Sequence, residues 1–470
     1  MNHRLTTVIA IVAPVVFTAG LLAVAFHVEH HGPPHPKEWD PRVLDIVQFD
    51  EQHRGLEYKQ PVFVDFLDAK AYSDRVRTDE TTLTDKDKAQ LKASEGELRA
   101  LGLSDSNVDL FAASNTLVDT GTLAFYDPET ERVIIRGTEM TVDLKVTLVH
   151  EFTHVLQDQY FGVGRRRTNS FTTSQEGTAF RAILEGDAVR IENEFIQSLS
   201  ADDKKQYDDA HQQEVDSATS GLTAVPVALQ ALQASPYILG PPFMELLDAK
   251  GNQTEVDSAL REPPTTDEQL FDPRAFFSHN KPLDVAEPAL PDGITDDKKV
   301  DSGDFGATSW YLVLAERIDP LVALRAVDGW GGDAYVAYDK GGSTCVRLNW
   351  QGDTTTDDKE MHDALDQWVA AMPTGAASVQ ADGDLLLVES CDAGPNGGLT
   401  LNNRALNAIQ IPGARSEFMF EAVQQGGLDA DKAFDFGDCV VHSVTFDQFV
   451  VQDKPAFQKA YTDCIDKVGG

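Results

Sequence analysis

Apolar residues recur at helical spacing between residues 141 and 161. Leu144, Leu148, Phe152, Val155 and Leu156 share one face, Thr141 is placed as an N-cap with Asp143 in the first turn, and Gly162 is a natural stop. A second helical period runs from 173 to 195 through Phe180, Ile183, Leu184, Ile191 and Phe195, opened by the capping box Thr173-Ser-Gln-Glu176. Shorter extended runs surround these two. Thr122–Tyr126 and Arg132–Arg136 flank Asp-Pro-Glu-Thr and predict a β-hairpin, while Pro61–Phe66 predicts a further strand. Beyond residue 300, Ala307–Ile318 and Lys359–Met372 read as helices, and the runs beginning at Cys345 and Leu385 read as strands. Residues 199–220 are polar and predict an exposed helix or loop. The pattern as a whole predicts an α+β fold, with two helices against a small, mostly antiparallel sheet in a first domain at 41–275. A Pro- and Asp-rich linker is expected at 276–300 and a second α+β domain at 301–470.

The amino terminus has a pattern of its own. From Thr6 to Phe26 no residue is charged, a length sufficient at about 1.5 Å per residue to cross a ~30 Å hydrocarbon core. With Arg4 before it and acids after it, residues 1–5 are expected as a cytoplasmic stub, 6–26 as an uncleaved anchor, and the remainder outside the membrane. A signal-peptidase site at Ala23-Val-Ala25, which would release a secreted protein, is the other reading. Residues 27–40 carry His27, His30, His31 and His35 among prolines and are expected as an extended linker rather than a second metal site.

Composition narrows the partners. With 77 Asp and Glu against 39 Lys and Arg, the net charge is −38 and is spread along the chain, which disfavours nucleic acid and anionic lipid surfaces. The four cysteines, Cys345, Cys391, Cys439 and Cys464, lack any CxxC spacing, which argues against a structural zinc site. Two disulfides are expected, Cys345 with Cys391 across neighbouring strands and Cys439 with Cys464.

The candidate chemistry lies on the first helix. His150-Glu151-Phe-Thr-His154 is an HExxH pattern: on a helix the two imidazoles project from one face, and Glu151 sits about 100° round the axis. Such a face buried without a cation would hide polar groups at a cost of several kcal/mol. A tetrahedral zinc site needs a third protein ligand, and Glu185 on the second helix is the candidate, set between Leu184 and Gly186-Asp-Ala188. Its plainer reading is a solvated surface glutamate.

HEFTHVLQDQ at 150–159 and Ile183-Leu-Glu-Gly-Asp-Ala188 resemble the gluzincin class of zinc metallopeptidases. More narrowly they look like a group of bacterial secreted or membrane-anchored metalloproteases with HE-x-TH-x-LQDQ and EG(D/E)A motifs. Residues 121–130, 262–269 and 329–333 look weakly like that group too, so the resemblance spans most of 60–470. It implies a zincin-like catalytic domain and one zinc ion on His150, His154 and Glu185. With Glu151 as general base, the substrate is a peptide or protein, hydrolysed outside the cytoplasmic membrane. One position departs from it. Where thermolysin-type gluzincins place an Asp four residues after the ligand Glu, this chain has Val189, so Asp158 and Asp187 are the candidates for orienting the imidazoles. Tyr126, Tyr237 and His279 are the candidates for stabilising an oxyanion. The alternative function is a catalytically inactive, membrane-tethered binding module that keeps zinc for stability.

Overall fold

The computed structural model describes residues 34–105, 108–120, 123–164, 173–394 and 397–468. Its architecture is α+β, and the chain divides into two compact units that interleave along the sequence. The first takes Met1–Thr82, Phe111–Ser170 and Leu184–Val225; the second takes Leu83–Leu110, Phe171–Ile183 and Pro226–Gly470.

In the first unit, helix α1 (Leu44–Arg54) precedes strand β1 (Phe63–Leu67), and the expected hairpin forms as β2 (Ala124–Asp127) and β3 (Arg132–Arg136). The sheet order is β1-β3-β2. β3 pairs antiparallel with β2 and parallel with β1, so half of this sheet departs from the mostly antiparallel expectation. A parallel partner needs a long crossover rather than a tight turn, and the chain between β1 and β3 is long enough to supply one. Helix α2 (Val142–Phe161) follows. The Thr141 hydroxyl accepts a hydrogen bond from the Leu144 N–H, and Gly162, at φ 67°, takes the left-handed conformation that ends the helix. Leu144, Leu148, Phe152 and Val155 then bury against Ala124, Tyr126, Val133 and Ile135 of the sheet, in one core with Ile46 and Val47 of α1. Removing a side chain such as Phe152 from this core would cost about 3–5 kcal/mol. Helix α3 (Ser174–Ser198) has its residues from Leu184 onward in this unit, and α4 (Ala201–Gly221) is the helix formed by the polar 199–220 segment.

The second unit is built around a five-stranded antiparallel sheet of order β4-β5-β6-β8-β7. Its elements are α5 (Val227–Gly251), β4 (Lys299–Gly303), α6 (Ala307–Arg317), β5 (Trp330–Lys340), β6 (Ser343–Gly352), α7 (Thr355–Ala371), β7 (Ala377–Asp382), β8 (Leu385–Cys391), α8 (Gln410–Gly426) and α9 (Ala430–His442). Helix α7 starts four residues earlier than its apolar period suggests, because Thr354 and Asp357 close a capping box there. Both expected disulfides are present: Cys345 and Cys391 face each other across β6 and β8, and Cys439 of α9 joins Cys464.

Two expected boundaries read differently in the structure. The boundary expected at residue 275 falls inside the second unit, because α5 packs with α8 there. Nor is 276–300 a free linker. The Leu283 N–H donates to the Gly331 carbonyl, and the side chains of Asn349 and Arg347 donate to the carbonyls of Ala286 and Ala289. A Cβ at Gly332 would stand 2.6 Å from the Leu283 oxygen, so glycine is what lets the segment lie against β5.

The expectation of a single-pass membrane protein is corrected. Among the described residues no helix is long and apolar enough to cross a membrane, and the segment 6–26 expected as an anchor lies outside them, as does the stub 1–5. Of the 27–40 segment, residues 34–40 are described and hold no helix or strand.

Candidate metal centre

The spacing of α2 places His150 and His154 one above the other, with ring centroids 4.8 Å apart. His150 and Glu185 are buried, and His154 keeps a small opening to solvent. His150 Nε2 lies 3.1 Å from Glu185 Oε2 and 3.1 Å from His154 Nε2, and His154 Nε2 lies 3.3 Å from the same Glu185 oxygen. Three candidate ligand atoms thus form a nearly equilateral triangle. Ligands about 2.0–2.1 Å from a tetrahedral zinc stand about 3.3 Å apart, so the donor set fits that ion in both chemistry and spacing. Among the described residues this is the one cluster of at least three His, Cys, Asp or Glu side chains that could hold a metal.

The opposite edges of both rings are also held. His150 Nδ1 lies 3.0 Å from Glu192 Oε2, and His154 Nδ1 lies 2.8 Å from Gln157 Oε1. The Gln157 amide nitrogen donates to the Leu184 carbonyl and to Asp187, which fixes its oxygen as the acceptor and so puts the proton of His154 on Nδ1. Glu192 does the same for His150. Both Nε2 atoms are thereby turned toward the same carboxylate oxygen of Glu185.

Charge in the cluster follows from these contacts. Burial disfavours the His150 imidazolium, but Glu185 and Glu192 outweigh it and hold the ring's pKa well above its ordinary value. Burial likewise pushes Glu185 up, and the hydrogen bonds to His150 and His154 overcome it, leaving the carboxyl well below the usual range. The cluster therefore carries a proton that a divalent ion would displace.

Glu151 is 1% exposed. The Tyr126 backbone N–H, on β2, donates to its Oε2 at 2.7 Å, while Oε1 is buried with no hydrogen-bond partner. Burial raises its pKa, with His150 and His154 pulling against the shift.

The other residues singled out in the sequence fall into place unevenly. Asp187 meets the candidate cluster through Gln157, and its own carboxylate is gripped by Arg54 of α1 at 2.9 Å and by Arg190 at 3.1 Å. Burial raises the Asp187 pKa, and the two guanidiniums more than reverse it. Asp158 touches neither imidazole. It accepts from the Tyr126 hydroxyl at 2.8 Å and from the Gly164 N–H at 2.8 Å, which corrects its expected orienting role and engages the Tyr126 hydroxyl away from an oxyanion. Tyr237 and His279 belong to the second unit. Sequence reasoning missed Glu192, whose signal is its place two helical turns after Glu185, and Gln157, three residues after His154.

Residues 295–406 match a sequence family described as a domain of unknown function (DUF8575). The match lies within the second unit and takes in β4 to β8, away in sequence from the HExxH helix. No curated protein and no solved structure matches the chain.

Proposed function

We propose that the protein is a zinc-dependent peptidase of gluzincin type, with His150, His154 and Glu185 as zinc ligands and Glu151 as the general acid–base. The observation that carries this reading is the convergence of His150 Nε2, His154 Nε2 and Glu185 Oε2 within 3.1–3.3 Å, with both Nδ1 atoms engaged elsewhere. The HExxH helix packed beneath the edge strand β2, with a second helix bringing the Glu, also supports a zincin-like layout of the first unit.

Zinc bound there supplies Lewis acidity toward a carbonyl and lowers the pKa of a water to about 7. Glu192 and Gln157 hold the rings in the tautomer that presents Nε2, and Asp187 holds Gln157. Glu151 takes the proton of the attacking water on its unpaired Oε1, while the Tyr126 N–H fixes Oε2. As the new C–O bond forms and the C–N bond breaks, Glu151 returns that proton to the departing amine. A zinc kept only for folding has no use for Glu151, and its burial with one oxygen unpartnered favours the enzyme over a binding module.

The test is cleavage of an unfolded protein by the purified chain. Chelator should stop it and added zinc restore it, and Glu151→Gln should retain zinc while losing about 10²–10⁴ in rate. Wild-type cleavage by Glu151→Gln, or by chelated protein, overturns the assignment.

A further inference from the structure

The second unit encloses a second feature of chemical interest, a half-open cavity of about 190 Å³. That volume is comparable with dry protein cavities of about 150 Å³ that admit a benzene-sized ligand. Most of the wall is apolar: Leu98, Leu101, Leu229, Leu232, Phe305 and Leu312. Ser94, Ser309 and Glu97 are the polar lining residues. All of these residues belong to the second unit, so the cavity is separate from the metal centre.

Glu97 is the anomaly. Its Oε1 is buried without a hydrogen-bond partner, and the charged group that acts on it is another acid, Asp301, whose carboxylate accepts from the Tyr335 hydroxyl at 2.9 Å. No Lys, Arg or His forms an ion pair with Glu97 among the described residues. A buried carboxyl oxygen left without a donor among leucines is costly, and no cationic side chain stands beside it to offset the burial. An incoming ammonium would, because it brings the missing donor and the opposite charge together, while a hydrocarbon body would fill the leucine-lined space. An anion would meet Glu97 and Asp301, and a wholly apolar guest would leave the buried oxygen as it is.

We propose that this cavity binds a small organic cation, a primary ammonium on an apolar body of about the size of benzene, with Glu97 as its counter-ion. The net charge of −38 favours the approach of such a ligand but gives no preference for this cavity.

The experiment is calorimetric titration of the full chain, without added zinc, with benzylamine, benzyl alcohol and benzoate, three guests that share a ring and differ in head group. Benzylamine should bind at least about tenfold tighter than benzyl alcohol, as expected for a charge-assisted bond to a buried oxygen, and benzoate should not bind. Glu97→Gln should erase the preference for the amine, and Leu232→Trp should fill the cavity and remove binding of both amine and alcohol. Equal affinity of amine and alcohol in the wild-type chain, amine binding untouched by Glu97→Gln, or no amine binding at millimolar concentration would each overturn the proposal. The wild-type comparison reads out whether or not either variant folds.

Discussion

Two glutamates, one buried in the first unit and one half-buried in the second, meet opposite fates. Glu185 in the first unit is packed against two imidazoles, and its carboxyl is held well below the ordinary range despite burial. Glu97 in the second is packed against leucines, with Asp301 as the nearby charge, and burial pushes it up to about 7. The same side chain is thus a prospective metal ligand in one setting and a proton holder in the other. Partners decide the outcome: desolvation acts on both, and only Glu185 has cationic groups within reach to offset it. Further from the triad the first unit follows the same rule, since Asp187 is buried but clasped by Arg54 and Arg190.

The comparison can be broken by removing partners. The largest stability effect is expected from Arg54→Ala, which leaves the Asp187 carboxylate buried with one of its two guanidiniums gone. By analogy with other buried ion pairs the loss should be about 3–5 kcal/mol, read by urea denaturation, whereas an effect below about 1 kcal/mol would mean that Arg190 suffices.

Next comes Glu192→Gln. The amide still fills the space but no longer offers a carboxylate to His150 Nδ1, so zinc affinity should drop by about 10–100-fold in competition with a chromogenic chelator. Unchanged affinity would show that Glu192 does not orient the ring.

A third effect is a change of slope with pH. The folded-state pKa of Glu97, about 7, lies above its ordinary value of 4.5, so folding takes up a proton between the two. Stability from this group is fully present below about 4.5 and is lost as the pH rises to about 7. Glu97→Gln, which carries no titrating proton, should flatten this part of the profile in denaturation midpoints measured across that window. A parallel profile for the variant would remove Glu97 as the cause.

The candidate metal-binding cluster was legible because its residues ride on two strongly periodic helices. His150, Glu151 and His154 declare themselves by spacing, and Glu185 by its burial within an apolar run. The orienting side chains were not legible in the same way. Asp158 is four residues after His154 and looks poised to help, yet at the end of α2 it is taken by the Tyr126 hydroxyl and the Gly164 N–H. Glu192 acts instead, because two turns of α3 carry it to the far edge of the His150 ring. The strand pairing of Cys345 with Cys391 could be read from two apolar runs, each with a cysteine at one end. The interleaving of the units could not. That α5 packs with α8 is fixed by a pairing across more than 150 residues, which no local period encodes.

The most direct test of the metal centre is zinc content of the purified full chain after equilibration with zinc and dialysis, wild type beside Glu185→Ala, with circular dichroism to verify folding. Wild type should retain one zinc per chain, and the variant should bind it at least about 100-fold more weakly. Equal zinc in both proteins, or none in a folded wild-type chain, would contradict the account.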